Sequence, residues 1–164
     1  MIKDKKTPQI RFKNFNDDWE QRELGDLVNY YSSNLSLKDA KVYGKYYLYD
    51  ANEIIGKTNE KPINKNYISV IKDGAGVGRI RMLSKNTLII STMGALIAKN
   101  NNLKFIYTLL QRFGISENVS GSTIPHIYFK DYKNNSYYIC KSKEQIKIGS
   151  MFKCLDNLIT LHQR

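Results

Sequence analysis

The residues that look most like chemistry are Asp73-Gly-Ala-Gly-Val-Gly78, a glycine-rich run that imitates a phosphate- or cofactor-holding loop. A nucleotide loop of that kind opens a helix, whose free N–H groups hold the phosphate. Here the next residues, Arg79-Ile-Arg-Met-Leu83, alternate in polarity as a strand does, and no Walker lysine follows. The glycines are therefore read as a tight connection between strands, with the close backbone approach that glycine permits. Other catalytic patterns are weaker. His126 and His162 stand far apart, and neither belongs to a carboxylate–histidine–nucleophile pattern. Ser122 and Thr123 lie near His126, but a Gly-Ser-Thr loop suits capping or phosphate binding better than attack on a carbonyl. The acidic residues are scattered, with no cluster suited to Mg²⁺ or to paired acid–base work. Cys140 and Cys154 have no His or second Cys at zinc-ligand spacing, and read as packing residues of a reduced, cytoplasmic protein. The expectation is a binder, with no catalytic residue, metal site or cofactor of its own.

Charge indicates what is bound. Lys and Arg number 26 against 15 Asp and Glu, a net charge of +11 with a pI near 9.6. Such an excess calls for a polyanion, and nucleic acid is the usual one. An anionic membrane surface is the rival, yet no apolar run reaches the roughly 18 residues of a span. The N-terminus MIKDKKTPQ also lacks the apolar stretch of a signal peptide. A Lys- and Asn-rich composition can equally reflect an AT-rich genome.

On DNA, basic side chains, hydroxyls and backbone amides would take phosphates, and side chains reaching base edges would give specificity. Arg79 and Arg81 alternate on one face of a predicted strand, near Lys72 and Lys85. Ser120, Ser122, Thr123, Lys130 and Lys133 form a second hydroxyl-and-lysine group, and Tyr43, Tyr46, Tyr47 and Tyr49 interleave with Lys45. Each group has a structural alternative: alternating Arg and apolar residues make a half-exposed sheet face, and tyrosine runs enter cores.

The elements that must position these residues read as α+β, a twisted sheet with supporting helices. After a basic start and a short extended segment, Trp19, Leu24, Leu27 and Val28 suggest a short amphipathic element. Strands are expected at 46–48, 67–72, 77–83, 87–92 and 137–140 from β-branched and aromatic content. The segment 51–66, rich in Asn, Lys, Gly and Pro, reads as a surface loop. Residues 102–113 carry apolar side chains at helical spacing, with Gly114 as a stop. Ser142 and Gln145 make a capping box that starts a last helix. Along it Ile148, Phe152, Leu155, Ile159 and His162 recur in steps of four and three. That is a heptad seam, the start of a coiled coil cut short after a few turns; an ordinary amphipathic helix lying back on the domain fits the spacing equally well.

These residues, taken in order, resemble a known family. Pro8-Gln-Ile-Arg-Phe12, Phe15 and the stretch from Trp19 to Leu27 look like the N-terminal opening of type I restriction–modification specificity subunits. The segments 47–56, 71–79, 92–94 and 121–127 resemble one variety of their target-recognition domain, and 144–149 with 155–164 the start of the family's conserved helix. The resemblance implies a recognition domain at 1–141 and the start of a spacer or dimerisation helix at 142–164. A full subunit is similar to two such units in tandem, each reading half of a split target. It implies duplex DNA, modification and restriction subunits as partners, and a second copy of the chain as a further candidate. S-adenosylmethionine, ATP and Mg²⁺ are then expected on the partner subunits only. Lys72, Arg79, Arg81, Lys85, Ser122, Thr123, Lys130 and Lys133 are the expected DNA contacts, with Ile148, Phe152, Leu155 and Ile159 on the interaction helix. Cys140-Lys141 stands where the family usually has a proline before the helix, which leaves the chain direction there open. The alternatives are a small standalone methyltransferase or nuclease, which S-adenosylmethionine binding would reveal, and an assembly or decoy protein without sequence preference.

Overall fold

A computed structural model describes residues 8–115, 119–121 and 123–162. In chain order it contains β1 (Glu20–Glu23), a single helical turn α1 (Leu24–Leu27), β2 (Val28–Ser32), β3 (Tyr46–Tyr49), β4 (Ile54–Thr58), β5 (Tyr67–Ile71) and β6 (Ile80–Leu83). Then come β7 (Thr87–Ile89), β8 (Met93–Ala98), helix α2 (Leu103–Phe113), short α3 (Phe129–Tyr132), β9 (Ser136–Ile139) and long α4 (Ser142–His162).

Every residue of β5 is buried, and the fold is built on its two faces. An antiparallel sheet in the order β2-β8-β5-β6 holds it centrally. Ile68 and Val70, with Leu96 of β8, face the helices and pack with Phe105, Ile106, Leu109 and Leu110 of α2. Tyr67, with Met93 and Ala95, faces the other way and joins Leu48, Leu88 and Ile89 of a second sheet, β4-β3-β7. This is the period-two alternation of a strand with apolar layers on both sides. Each fully buried Leu, Ile or Phe stabilises the fold by about 1.5–3 kcal/mol relative to exposure. The strands β1 and β9 make a separate antiparallel ribbon, while β3 and β7 form a parallel pair.

Helix α2 forms as its sequence predicts: the Asn102 side chain accepts from the Phe105 N–H, and Gly114, at φ +71°, ends it. Elsewhere the structure refines the sequence reading. Residues 51–66 are not all loop, because Ile54–Thr58 pair antiparallel with β3 as an edge strand. Residues 77–79 belong to a hairpin loop and the strand starts at Ile80, while Met93–Ala98 is a further strand that Gly94 disguised. At Gly94 a Cβ would sit 2.5 Å from Tyr30 Cε2 and 2.8 Å from its hydroxyl oxygen, so a side chain there would have to displace the Tyr30 ring, which stacks on Phe129. The stretch from Trp19 onward is strand, turn and strand rather than one amphipathic element.

Helix α4 starts at Ser142, but the capping box is not what holds it. Gln145 is buried and links three segments: its carbonyl accepts from Asn102 N (2.8 Å), and its amide donates to Cys140 O (2.8 Å) and Asn101 Oδ1 (3.0 Å). Two turns of α4 lie on α2, and then the helix leaves the domain with Phe152, Leu155 and Ile159 exposed; Ile148, nearer its start, packs against the core.

Candidate nucleic-acid interface

The glycine run is a hairpin. Gly74, Gly76 and Gly78 all have positive φ (84°, 88° and 81°), the left-handed region that a side chain resists. Ile71 N donates to Arg79 O and Gly78 N to Ile71 O, which closes the loop onto β6 with no helix behind it. A nucleotide-type loop is therefore not formed.

The segment Ser120–Ile127 is sewn to this hairpin. Ser120 and His126 exchange two backbone hydrogen bonds, Gly74 N donates to Pro125 O (2.9 Å), and Ile127 N donates to Lys72 O (2.9 Å). Lys72 and the segment that carries the exposed Thr123, distant in sequence, are thus joined through the backbone. Ser122 lies outside the described residues. Lys72 donates to Ser32 Oγ (3.2 Å), and His126 is 2.9 Å from Ser120 Oγ. Lys130 belongs to the same neighbourhood, with its ammonium over the Tyr128 ring, which itself packs on His126.

Arg79 and Arg81 reach across to the turn between β3 and β4. Arg79 Nη2 donates to Ala51 O (2.8 Å) and Asn52 Oδ1 (2.7 Å); Arg81 donates to Asn52 O (2.6 Å) and Asp50 O (3.3 Å) and lies over the Tyr49 ring. The turn is already shaped by Asp50, whose Oδ1 accepts from Asn52 N and Glu53 N, an Asx turn. A cleft of about 280 Å³ runs beside the two arginines, and Arg81 Nε, buried there, has no partner among the described residues. Sequence reasoning missed the Asp50–Glu53 turn as part of this site, although its Asp-x-Asn pattern was a readable turn signal.

The remaining predicted residues are dispersed. Lys85 sits in the β6–β7 turn, at the opposite end of β6 from the glycine hairpin, with its N–H on Asn66 Oδ1. Lys133 ends α3 and its carbonyl accepts from Gly25 N, which places it against α1. Of the tyrosine run, Tyr46 and Tyr49 pack against the core while Tyr43 and Tyr47 are exposed. Cys140 is buried, as a packing residue should be; Cys154 is exposed on α4. Among the described residues no group of three His, Cys, Asp or Glu side chains could hold a metal ion, and no helix is long and apolar enough to cross a membrane.

A layered α+β domain with a basic, glycine-hairpin edge and an outgoing helix is the architecture of a DNA specificity domain. The chain belongs to the type I restriction modification DNA specificity domain family, whose model matches residues 16–164. It is similar to the type I restriction–modification S subunit of M. genitalium, with 26% identity, a TM-score of 0.74, and coverage of 92% of this chain and 42% of that one. Two further solved chains share the fold at lower identity. One, from work on complex assembly and conformational transition of the type I R-M system, has 15% identity and a TM-score of 0.72, covering 92% of this chain and 41% of its own. The other is the HsdS subunit of Thermoanaerobacter tengcongensis, with 13% identity and a TM-score of 0.62, covering 94% and 41%. The chain therefore spans about two fifths of the length of these structures. No curated protein matches it.

Proposed function

We propose that residues 1–141 read duplex DNA sequence as one target-recognition unit of a type I specificity subunit, and that residues 142–164 begin the helix that sets its distance from a second unit. The family match over residues 16–164 carries this reading. In it, Lys72, Lys85, Lys130, Lys133 and the hydroxyls of Ser122 and Thr123 hold phosphates, and Arg79 and Arg81 exchange their bonds to the Asp50–Glu53 turn for bidentate contacts to base edges, the geometry that suits guanine. The chain supplies no catalysis and holds no cofactor. Modification subunits methylate adenine from S-adenosylmethionine, and restriction subunits add ATP- and Mg²⁺-dependent translocation and cleavage, all in the cytoplasm. The exposed seam of Phe152, Leu155 and Ile159, continuing from Ile148, is where a second helix packs, from a second unit or a second copy of this chain.

The test is selection from random duplex DNA near physiological salt, with and without a modification subunit. A short shared motif in the bound pool is the expected result. Salt-sensitive binding with no motif in either condition would reduce the chain to an assembly protein. Arg79→Ala should then relax the motif at one position, at about 1–3 kcal/mol. Asn52→Ala, which removes only Arg79's side-chain acceptor, should leave the motif intact. Unchanged consensus in Arg79→Ala would strike that residue from the reading.

A further inference from the structure

A second surface lies on the same β3–β4 hairpin, away from the arginine-held turn. Val42 and Tyr43 are 82% and 86% exposed, and Tyr47 and Ile54 are nearly half exposed. Val42, Tyr47 and Ile54 line one shallow cleft with Lys41 and Lys57. Lys41 is exposed where it lines the cleft, Lys45 is exposed on the same loop, and Lys57 lies over the Tyr47 ring at 5.2 Å.

The loop that carries these side chains is tightly held. Lys41 and Lys57 exchange two backbone hydrogen bonds of 2.9 and 2.8 Å, and Lys45 N donates to Asn59 Oδ1. Gly44 and Gly56 allow this wrap, because a Cβ on Gly44 would sit 2.8 Å from Thr58 N and one on Gly56 would sit 3.0 Å from Lys41 O. Val42 and Tyr43 are thus presented to water on an ordered loop, an arrangement typical of a surface that meets a partner.

Charge identifies the partner. No ion pair holds Lys41, Lys45 or Lys57 among the described residues. Of the neighbouring carboxylates, Asp50 is engaged by its own turn and Asp39 by Ser36, with Lys41 acting on Asp39 only through space. An apolar tip ringed by lysines that form no ion pair fits a groove between phosphates, with the apolar side chains in the groove and the ammonium groups on the backbone. We infer that the Val42–Tyr43 loop, with Lys41, Lys45, Lys57 and Tyr47, is a second duplex-DNA contact, flanking the one at the glycine hairpin. The inference rests on the DNA-reading function proposed above.

The experiment uses the full chain and a duplex carrying its selected motif. Tyr43→Ser with Val42→Ser, both changes at exposed positions, should weaken binding about fivefold or more while thermal melting stays put. A triple lysine-to-glutamine variant at 41, 45 and 57 should flatten the plot of log affinity against log salt by roughly one unit for each phosphate no longer neutralised. Hydroxyl-radical protection should shrink on one flank of the motif only. If the unsubstituted chain binds no duplex, the DNA-reading function itself fails and takes this surface with it. If it binds and both variants keep its affinity, salt slope and footprint, the second contact is overturned while DNA reading stands. Variants that keep DNA binding but no longer bind a modification subunit would also overturn it, and would make the loop a protein interface.

Discussion

The Arg11 guanidinium and the Glu144 carboxylate, 133 residues apart, meet in two parallel hydrogen bonds of 2.7 and 2.8 Å. Glu144 is almost wholly buried, so the N-terminal arm supplies the only cation that the first turn of α4 has for its inward carboxylate among the described residues. The paired carboxylate in turn holds Arg11 even more firmly protonated than usual. Lys147, one turn on, lies over Phe15 and Phe12, and Lys141 pairs with Asp17, so the arm straps the base of the helix along its length.

Arg11→Ala leaves a buried charge without a partner and should lower the melting temperature clearly. Lys141→Ala removes only an exposed pair and should do little. Hydrogen exchange at residues 142–149 should quicken in the first variant alone. Equal melting temperatures for the two would disprove the strap.

Gly149 is where α4 crosses the start of α2. A Cβ there would lie 2.7 Å from Asn102 Oδ1, the cap of α2, and 2.9 Å from Lys104 Cβ and Phe105 N. Alanine gains about 1 kcal/mol of helix propensity, but overpacking costs about 1–3 kcal/mol and also disturbs a cap. Gly149→Ala should therefore destabilise the protein in denaturant titration. A net gain would mean that the two helices separate freely.

The Tyr132 ring is completely buried in the core, edge-on to Phe129, yet its hydroxyl finds no hydrogen-bond partner among the described residues. Burial drives its ionisation far above the ordinary phenol range. Tyr132→Phe removes an unsatisfied polar atom and keeps the ring, so stability should be unchanged or higher. A loss of more than about 1 kcal/mol would reveal a partner for that hydroxyl.

The two thiols should differ sharply. Cys154 is exposed and should react with a disulfide reagent in the native state, while Cys140 should wait for unfolding. Burial first, and the Glu144 charge second, push the Cys140 thiol from 9.0 up to about 12, and burial pushes the Tyr67 phenol from 10.0 up to about 12. From about pH 9 for Cys140 and about pH 10 for Tyr67, up to about pH 12, the unfolded chain has lost the proton and the folded chain keeps it. Stability is thus intact below about pH 9 and falls as pH rises through that window. Cys140→Ala should flatten the early part of the fall; an identical pH profile would argue against it.

The family and the layered α+β character were legible in the sequence because they rest on local signals. The helical spacing over 102–113, the stop at Gly114 and the glycine hairpin each act within a few residues of themselves. The edge strand β4 was not legible, since Asn- and Lys-rich flanks around two isoleucines look the same in a loop. Nor was the use of Gln145, because the alternative to a capping box was an α2 end more than forty residues upstream. At the candidate interface, Lys72 and Arg79 were picked out by type and spacing alone, whereas the meeting of Lys72 and Gly74 with the Ser120–Ile127 segment depends on backbone pairing that no spacing rule encodes.

Three of the four bonds from Arg79 and Arg81 to the β3–β4 turn end on main-chain carbonyls, those of Asp50, Ala51 and Asn52. Every amino acid brings that same oxygen. Apart from the Asn52 side chain and the Asp50 carboxylate that shapes the turn, the arginines grip it without regard to which side chains it displays, so positions 51 and 53 can drift under selection while their mounting stays fixed. In the free chain the tip is in this sense an exchangeable bit and the arginine pair its chuck, a grip that the guanidinium groups give up when they turn to base edges.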